Sequence, residues 1–113
     1  MSEDSWQTFD LKEIRKTLES GKVSYKEFLK VPSLSCGLYH LPAGSQDMQT
    51  PHDEDEVYLV LEGKAMMKTG NEPEPLEVTA GTVLFVRATE THSFFEIEED
   101  MTLMVFFASH PPE

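Results

Sequence analysis

Short segments rich in β-branched and aromatic residues, closely spaced and separated by turn residues, restrict most of this chain to β structure. The clearest are EVYLVL at residues 56–61, TVLFV at residues 82–86 and TLMVFFA at residues 102–108. Runs that are apolar on both faces indicate two packed sheets, so we expect an all-β sandwich or barrel. The predicted strands are residues 33–41, 56–61, 64–69, 76–78, 82–86, 91–97 and 102–108, with a turn at Glu62-Gly63.

The start of the chain predicts a short amphipathic helix. Asp10 followed by Glu13 resembles a helix-capping arrangement, apolar residues recur three and four positions apart, and Gly21 provides a stop signal. We expect residues 1–22 to form a tail and this helix, and residues 23–113 to form one β domain. The apolar positions of the helix are Leu11, Ile14 and Leu18.

Charge and composition exclude several classes of protein. The chain of 113 residues carries 21 Asp and Glu against 9 Lys and Arg, and its whole net charge of −12 lies in residues 31–113. Such a surface repels phosphate backbones, so we expect no nucleic-acid partner. No apolar run approaches the ~20 residues of a membrane span, and the N-terminus is polar, so we expect no membrane association and a cytoplasmic location. A single cysteine, Cys36, excludes an internal disulfide.

Two histidines and one glutamate are the candidate metal ligands. His52 lies just before the strand that Glu56 begins, and His92 opens a later strand. A carboxylate pointing into a sheet sandwich is costly unless a metal or a polar partner compensates it. Two histidines and a carboxylate suit Fe, Mn, Ni, Cu or Zn. Spacing alone leaves open that these are surface histidines beside a solvated acidic run.

The glycines around these residues give the pattern a family likeness. The segment from Gly44 through His52 and Glu56 to Gly63 resembles the first motif of the cupin superfamily. The segment that begins at Gly81 and contains His92 resembles the second motif. The resemblance covers about residues 33–108 and is strongest to small single-domain cupins that read P-H-x-E-D-E-V-Y.

The resemblance implies a jelly-roll barrel of two antiparallel sheets that holds one divalent metal near its mouth. Carried over by position, His52, Glu56 and His92 are three ligands. The fourth position, a histidine in the family, is Thr50 here, and Gln49 or water could substitute for it. A site with three protein ligands and open coordination positions follows from this reading.

The second motif departs from the family pattern at three positions. Arg87 replaces a proline, Thr89 a glycine and Glu96 an asparagine. Without glycine, the turn before His92 must avoid positive φ or strain the threonine. Arg87 could pair with Glu90 or the acidic run, or hold a ligand carboxylate.

Alternation places two aromatic residues beside the candidate ligands. Tyr58 follows Glu56 by two residues and Phe94 follows His92 by two, so both face the same interior. They are candidate pocket-lining residues, and core packing is the alternative. Cys36 and His40 share a face of another strand, and we assign them no role in the site.

Three functions remain open on this basis. The first is a metal-dependent enzyme acting on a small organic molecule, such as a dioxygenase or an isomerase. The second is a non-catalytic small-molecule binding or sensing protein, and the third is a structural cupin whose site has decayed. We also expect a homodimer, because apolar outer strand faces supply surface to bury.

Overall fold

The structure, a computed structural model, describes residues 5–18, 21–47, 52–70 and 74–108. Within these ranges the chain forms one short α-helix and six antiparallel strands, which confirms the predicted all-β class. The elements are α1 (Leu11–Arg15), β1 (Ser24–Val31), β2 (Leu34–Leu41), β3 (Asp55–Thr69), β4 (Leu76–Thr79), β5 (Val83–Val86) and β6 (His92–Ala108). The strand order is β1-β2-β6-β3-β4, and β5 also pairs with β3.

The predicted turn at Glu62-Gly63 is wrong, because β3 runs through it as one strand of 15 residues. The predicted strands 91–97 and 102–108 likewise join into β6, of 17 residues. Gly63 marks a bulge instead of a reversal, with φ of 104°. A Cβ at this position would lie 2.7 Å from the Cα of Met101, so glycine allows β3 and β6 to approach closely here.

The beginning of the chain also differs in detail from the prediction. Strand β1 was not among the predicted strands, because a register shift between Glu27 and Leu29 breaks its alternation. Helix α1 is only five residues long, although Asp10 caps it by accepting a hydrogen bond from the Lys12 amide. Among the described residues, no helix has the length and apolar character needed to cross a membrane.

The two long strands bend so that their halves face each other. Tyr58 of β3 is paired in register with Val105 of β6. Phe94 lies eleven residues before Val105, which is about 36 Å along an extended strand. The rings of Tyr58 and Phe94 are nevertheless only 5.3 Å apart between centroids. The sheet is therefore rolled on itself around a core, at the register shifts between Val60 and Met66.

Register assigns the side chains to an inner and an outer face. Positions paired across β3, β6 and β2 share a face, as in the inner row Tyr58, Val105 and Gly37. The inner face forms the core, whereas Cys36 and Leu38 are buried on the outer face, apart from the main cluster. The core residues are Leu41, Tyr58, Val60, Ala65, Met67, Val78, Val86, Phe94, Ile97, Met101, Leu103 and Val105.

Part of the outer face is apolar and exposed. Val83 and Phe85 of β5 are 63% and 58% exposed, and they continue across the sheet into Leu59 and Val57 of β3. Arg87 lies over the Phe85 ring, 5.6 Å from its centroid, and makes neither of its expected ion pairs within the described residues. The homodimer expected from the sequence stays a prediction.

A chain of polar contacts fastens α1 to the sheet. Arg15 Nη2 lies 2.6 Å from Glu62 Oε1, and the Thr102 hydroxyl donates to Glu62 Oε2 at 2.9 Å. Because Thr102 gives its proton to Glu62, the His40 Nδ1, at 3.3 Å from Thr102 Oγ1, is the donor in that contact. His40 thus belongs to a structural network on the outer side of the sheet.

The Arg15 pair makes the docking of α1 dependent on pH. The hydrogen bond from Arg15 lowers the pKa of Glu62 below its ordinary 4.5, so the stabilisation is full above that value and is lost as the pH falls through the folded pKa. We expect Glu62→Gln to lower the free energy of unfolding at pH 7 by less than about 1 kcal/mol, because solvent screens two side chains that are 39% and 43% exposed.

Urea unfolding of both proteins between pH 3 and pH 7 measures this difference. The matched control is Glu13→Gln, since Glu13 pairs with Lys16 inside the helix region and does not reach the sheet. A difference between wild type and Glu62→Gln that stayed constant down to pH 3 would contradict the assignment.

The turn between β5 and β6 contains a strained threonine. Thr89 has φ of 68°, which lies in the left-handed region that β-branched residues disfavour. The sequence left open whether this turn avoids positive φ or strains the threonine, and the structure shows positive φ. The Thr89 amide donates to the carbonyl of His52 at 2.7 Å, so the strained conformation ties this turn to the segment before β3.

Relief of this strain should stabilise the protein. A left-handed conformation costs an L-residue about 1–2 kcal/mol, and glycine avoids that cost. Glycine also gives the unfolded chain more conformational freedom, which offsets part of the gain. We expect Thr89→Gly to raise the free energy of unfolding by up to about 1 kcal/mol in urea titrations. Thr91→Gly is the control, because Thr91 lacks positive φ and should only lose stability. Equal losses in both variants would show that Thr89 is not strained.

Candidate functional site

A cavity of about 420 Å³ opens on the inner face of the sheet beside the predicted ligands. A cavity of this volume suits a small organic molecule. Four aromatic rings and several polar side chains surround it. Its lining residues are Tyr25, Glu27, Lys30, Val31, Ser35, Tyr39, His52, Glu54, Tyr58, Val105 and Phe107.

Glu56 and His92 contact each other beside the cavity, and neither is among its lining residues. His92 Nε2 lies 2.7 Å from Glu56 Oε1, and each side chain is only 1% exposed. The two residues come from opposite halves of the rolled sheet. Glu56 lies near the start of β3, paired with Phe107, whereas His92 is the first residue of β6 and is paired with Thr69 at the far end of β3. The Tyr58 hydroxyl lies 3.0 Å from the same His92 nitrogen.

The protonation of His92 is constrained by its second nitrogen. Nδ1 lies 2.9 Å from the carbonyl oxygen of Glu90, which can only accept, so Nδ1 carries a proton. In a neutral ring Nε2 then presents a lone pair to the Glu56 carboxylate. Two acceptors at 2.7 Å repel unless a cation lies between them. A cation that contacts both atoms, either a second proton between them or a metal ion beside them, would remove this repulsion.

The other oxygen of Glu56 gives a second indication. Glu56 Oε2 is buried and has no hydrogen-bond partner. An unpaired buried carboxylate oxygen costs several kcal/mol, so it marks a place where a further ligand or cation would be stabilising. The residues present thus fit a cation bound beside Glu56 and His92.

His52 lies near this pair without joining it. Its ring centroid is 6.3 Å from that of His92 and 4.9 Å from that of Phe107, and it lines the cavity. Among the described residues, no group of three His, Cys, Asp or Glu side chains is arranged to hold a metal. Gln49 and Thr50, the candidates for the fourth position, lie outside the described residues.

The two predicted pocket-lining aromatics have different places. Tyr58 is 1% exposed and lines the cavity. Phe94 packs edge-on against Tyr58 from behind and is not among the lining residues. The amide of Phe94 donates to Asp47 Oδ2 at 2.9 Å, and Asp47 Oδ1 accepts from the Tyr39 hydroxyl at 2.7 Å. Asp47 thus connects β6 to the cavity wall.

Burial and hydrogen bonding act in opposite directions on His92. Burial alone lowers the pKa of His92, but the hydrogen bonds with Glu56 and with the Glu90 carbonyl outweigh it and raise the pKa above the ordinary 6.5. The raised value means that the site favours positive charge at Nε2.

Most of the lining residues that the sequence missed come from β1 and β2. Tyr25, Glu27 and Lys30 of β1 and Ser35 of β2 line the cavity. The signal that could have indicated them is the aromatic and aliphatic content of residues 24–31, SYKEFLKV, which form the strand paired with β2. Arg87 lies over Phe85 and is not among the lining residues of this cavity, so its suggested role in holding a ligand carboxylate stays a prediction. Burial raises the pKa of the Cys36 thiol, which leaves it unreactive.

Comparison with known proteins agrees with this architecture. The model of the Cupin domain family matches residues 37–108. An uncharacterised protein of Streptomyces coelicolor is 39% identical over 105 residues, which cover 93% of this chain and 96% of that protein.

Solved structures extend the likeness of the fold. An RmlC-like cupin of Methanocaldococcus jannaschii with a double-stranded β-helix fold matches with a TM-score of 0.72 at 14% identity, over 98% of this chain and 94% of that one. The DMSP lyase DddQ of Ruegeria pomeroyi matches with a TM-score of 0.73 at 17% identity, over 86% of this chain and 53% of that one, so this chain spans about half its length. The predicted barrel fold is therefore confirmed, and the chain belongs to the cupin domain family.

Proposed function

We propose that this cupin binds a small organic molecule at a divalent transition metal held by Glu56 and His92. The single observation that carries the proposal is the buried contact of 2.7 Å between two acceptor atoms, Glu56 Oε1 and His92 Nε2. A metal ion held by these two residues would remove the repulsion between these atoms, and the unpaired Glu56 Oε2 is a further donor available to it. Iron, manganese, nickel, zinc and copper all suit such a donor set.

The protein's own residues prepare this site in three ways. The Glu90 carbonyl fixes the Nδ1–H tautomer of His92, which directs the Nε2 lone pair toward Glu56. The Tyr58 hydroxyl lies beside Nε2 and limits the rotation of the ring. His52, on the cavity wall, supplies a third ligand or a hydrogen-bonding group for the bound molecule.

A bound metal would act as a Lewis acid that polarises an oxygen of the ligand. The rings of Tyr25, Tyr39, Tyr58 and Phe107 on the cavity wall would contact the apolar part of such a ligand. The site thus supports a cupin-type small-molecule enzyme, such as a dioxygenase or isomerase, or a binding protein without turnover.

The second candidate is a cupin whose pair holds a proton instead of a metal. The separation of His52 from His92 favours it, because only two of the three predicted ligands are in contact among the described residues. In that case Glu56 and His92 form a buried ion pair with a structural or sensing role. Metal content separates the two candidates.

Elemental analysis of protein purified without a metal-affinity tag tests the metal. We expect about one equivalent of a transition metal in wild type and at least a tenfold lower content in Glu56→Gln, because the amide is a much weaker ligand. The control is Glu54→Gln, which changes a neighbouring carboxylate on the cavity wall that does not contact His92. Less than about a tenth of an equivalent in wild type, even after reconstitution with each metal, would contradict the proposal.

The pH dependence of the metal-free protein gives a separate prediction. Because the folded pKa of His92 is raised, its ion pair stabilises the protein fully below pH 6.5, and this stabilisation is lost as the pH rises through the folded pKa. We expect the His92 ring signals in NMR to titrate above 6.5 in wild type and below the wild-type value in Glu56→Gln. A titration unchanged by Glu56→Gln would show that the carboxylate does not hold the proton.

A further inference from the structure

Strand β1 forms one side of the cavity, and Tyr25 is its aromatic contribution. Tyr25 lies across Gly37 of the neighbouring strand, where an added Cβ would overlap its ring and lie 2.6 Å from Cε1. Gly37 is fully buried on the inner face, so any side chain there would displace the ring. The glycine thus creates the place that Tyr25 fills.

The Tyr25 ring reaches from the edge strand toward the proposed metal site. It contacts Phe107 edge-on at 6.5 Å between centroids, and Phe107 in turn contacts His52 at 4.9 Å. Although Tyr25 is 44% exposed as a residue, burial raises the pKa of its hydroxyl to about 12, assisted by nearby carboxylates that include Glu27 and Glu56. The hydroxyl therefore remains a proton donor at physiological pH.

This hydroxyl differs from those of the other two cavity tyrosines. The Tyr39 hydroxyl donates to Asp47, and the Tyr58 hydroxyl contacts His92. Within the described residues, the Tyr25 hydroxyl has no hydrogen-bond partner. Its proton is thus available to a molecule bound in the cavity.

A positive charge lies on the same side of the cavity. Lys30 is the one cationic side chain among the lining residues, and within the described residues it makes no ion pair. It is paired with Ser35, and this inner row continues through Phe107 to Glu56. Three strand spacings separate Lys30 from Glu56, about 14 Å between backbones. A ligand that spans the cavity therefore has Lys30 at one end and Tyr58, whose hydroxyl contacts His92, toward the other.

We propose that Tyr25 and Lys30 bind the carboxylate of a small monocarboxylic acid, whose other end faces the Glu56–His92 pair. The position of that other end rests on the proposed function, whereas the carboxylate site rests on β1 alone. The rings of Tyr25 and Phe107 fit an apolar or aromatic body between the two ends. Glu27 and Glu54 also line the cavity, so a second acid group on the ligand meets repulsion and one carboxylate is selected.

Calorimetric titration of the full chain with a matched series of probes tests this proposal. The probes are 3-phenylpropionate, 3-phenylpropionamide, 3-phenylpropylamine and phenylsuccinate, which differ in charge but little in apolar area. We expect 3-phenylpropionate to bind about tenfold or more tightly than the other three, because a hydrogen bond to a charged group exceeds a neutral one.

Three variants test which residues cause the preference for the acid. Lys30→Met should remove most of the preference for the acid over the amide, and Tyr25→Phe should weaken acid binding about tenfold while leaving the ring in place. Lys26→Met is the matched control with unchanged binding, because Lys26 pairs with Leu38 on the outer-face row and does not line the cavity. An acid that binds no better than its amide, an amine that binds best, or a Lys30→Met variant that binds like wild type would overturn the proposal. The absence of any binding at millimolar concentration would overturn it as well.

The metal content of the same preparations separates this proposal from the proposed function. Acid binding that depends on Lys30, in protein that takes up no metal even after reconstitution, supports the carboxylate site and overturns the metal site. One equivalent of metal in protein that binds the acid no better than the amide supports the metal site and overturns the carboxylate site.

A double-mutant cycle checks the placement of Tyr25 independently of any ligand. Gly37→Ala should lower the thermal midpoint in the wild-type background but have little effect in Tyr25→Ala, where the ring is absent. Equal losses in both backgrounds would show that Gly37 is required for another reason and would remove the support for the fixed ring.

Discussion

The buried contact between Glu56 and His92 is the constraint on which the rest of the site depends. A carboxylate and an imidazole with side chains 1% exposed can remain buried only because each satisfies the other through a shared cation. The contact also joins residues from opposite halves of the rolled sheet. Whatever cation the pair holds therefore links the chemistry of the site to the closure of the barrel.

Closure itself arises from local departures from regular strands. Register shifts and the positive φ of Gly63 bend β3 and β6, which allows Tyr58 to reach Phe94 and His92. The strained Thr89 then holds the backbone of His52 close to the turn before β6. Strain of this kind persists only where the surrounding contacts maintain it, and it occurs both in this turn, at Thr89, and within β6, where Glu96 has φ of 47°.

The sequence predicted the residues of the site better than the boundaries of the strands. Alternation from Glu56 to Tyr58 assigns both side chains to the interior, and the motif spacing identifies His92. In the sequence the bend in β3 resembles a turn, because a glycine can mark either a chain reversal or a β-bulge. This ambiguity explains why one strand was predicted as two at Glu62-Gly63.

The cavity wall was harder to predict for a different reason. Tyr25 contributes through a diagonal approach over Gly37, which requires two strands to be in register, and the shift after Glu27 hides β1 from periodicity. A single sequence indicates on which face of a strand each side chain lies. It does not indicate which glycine of a neighbouring strand an aromatic ring packs over. The distance between His52 and His92 likewise depends on the path of the chain around the turn and not on spacing.

The strong negative charge of the chain does not prevent it from selecting an anion. Charges on the surface are screened over about 8 Å at physiological ionic strength, so most of the net charge of −12 acts weakly inside the cavity. Within the cavity the nearest groups determine which ligand binds. Lys30 and the Tyr25 hydroxyl can donate hydrogen bonds to a carboxylate, whereas Glu27 and Glu54 repel one. A cavity lined by both signs distinguishes ligands by where their charges lie more than by their total charge. The acidic surface and a binding site for one carboxylate are therefore compatible in the same small barrel.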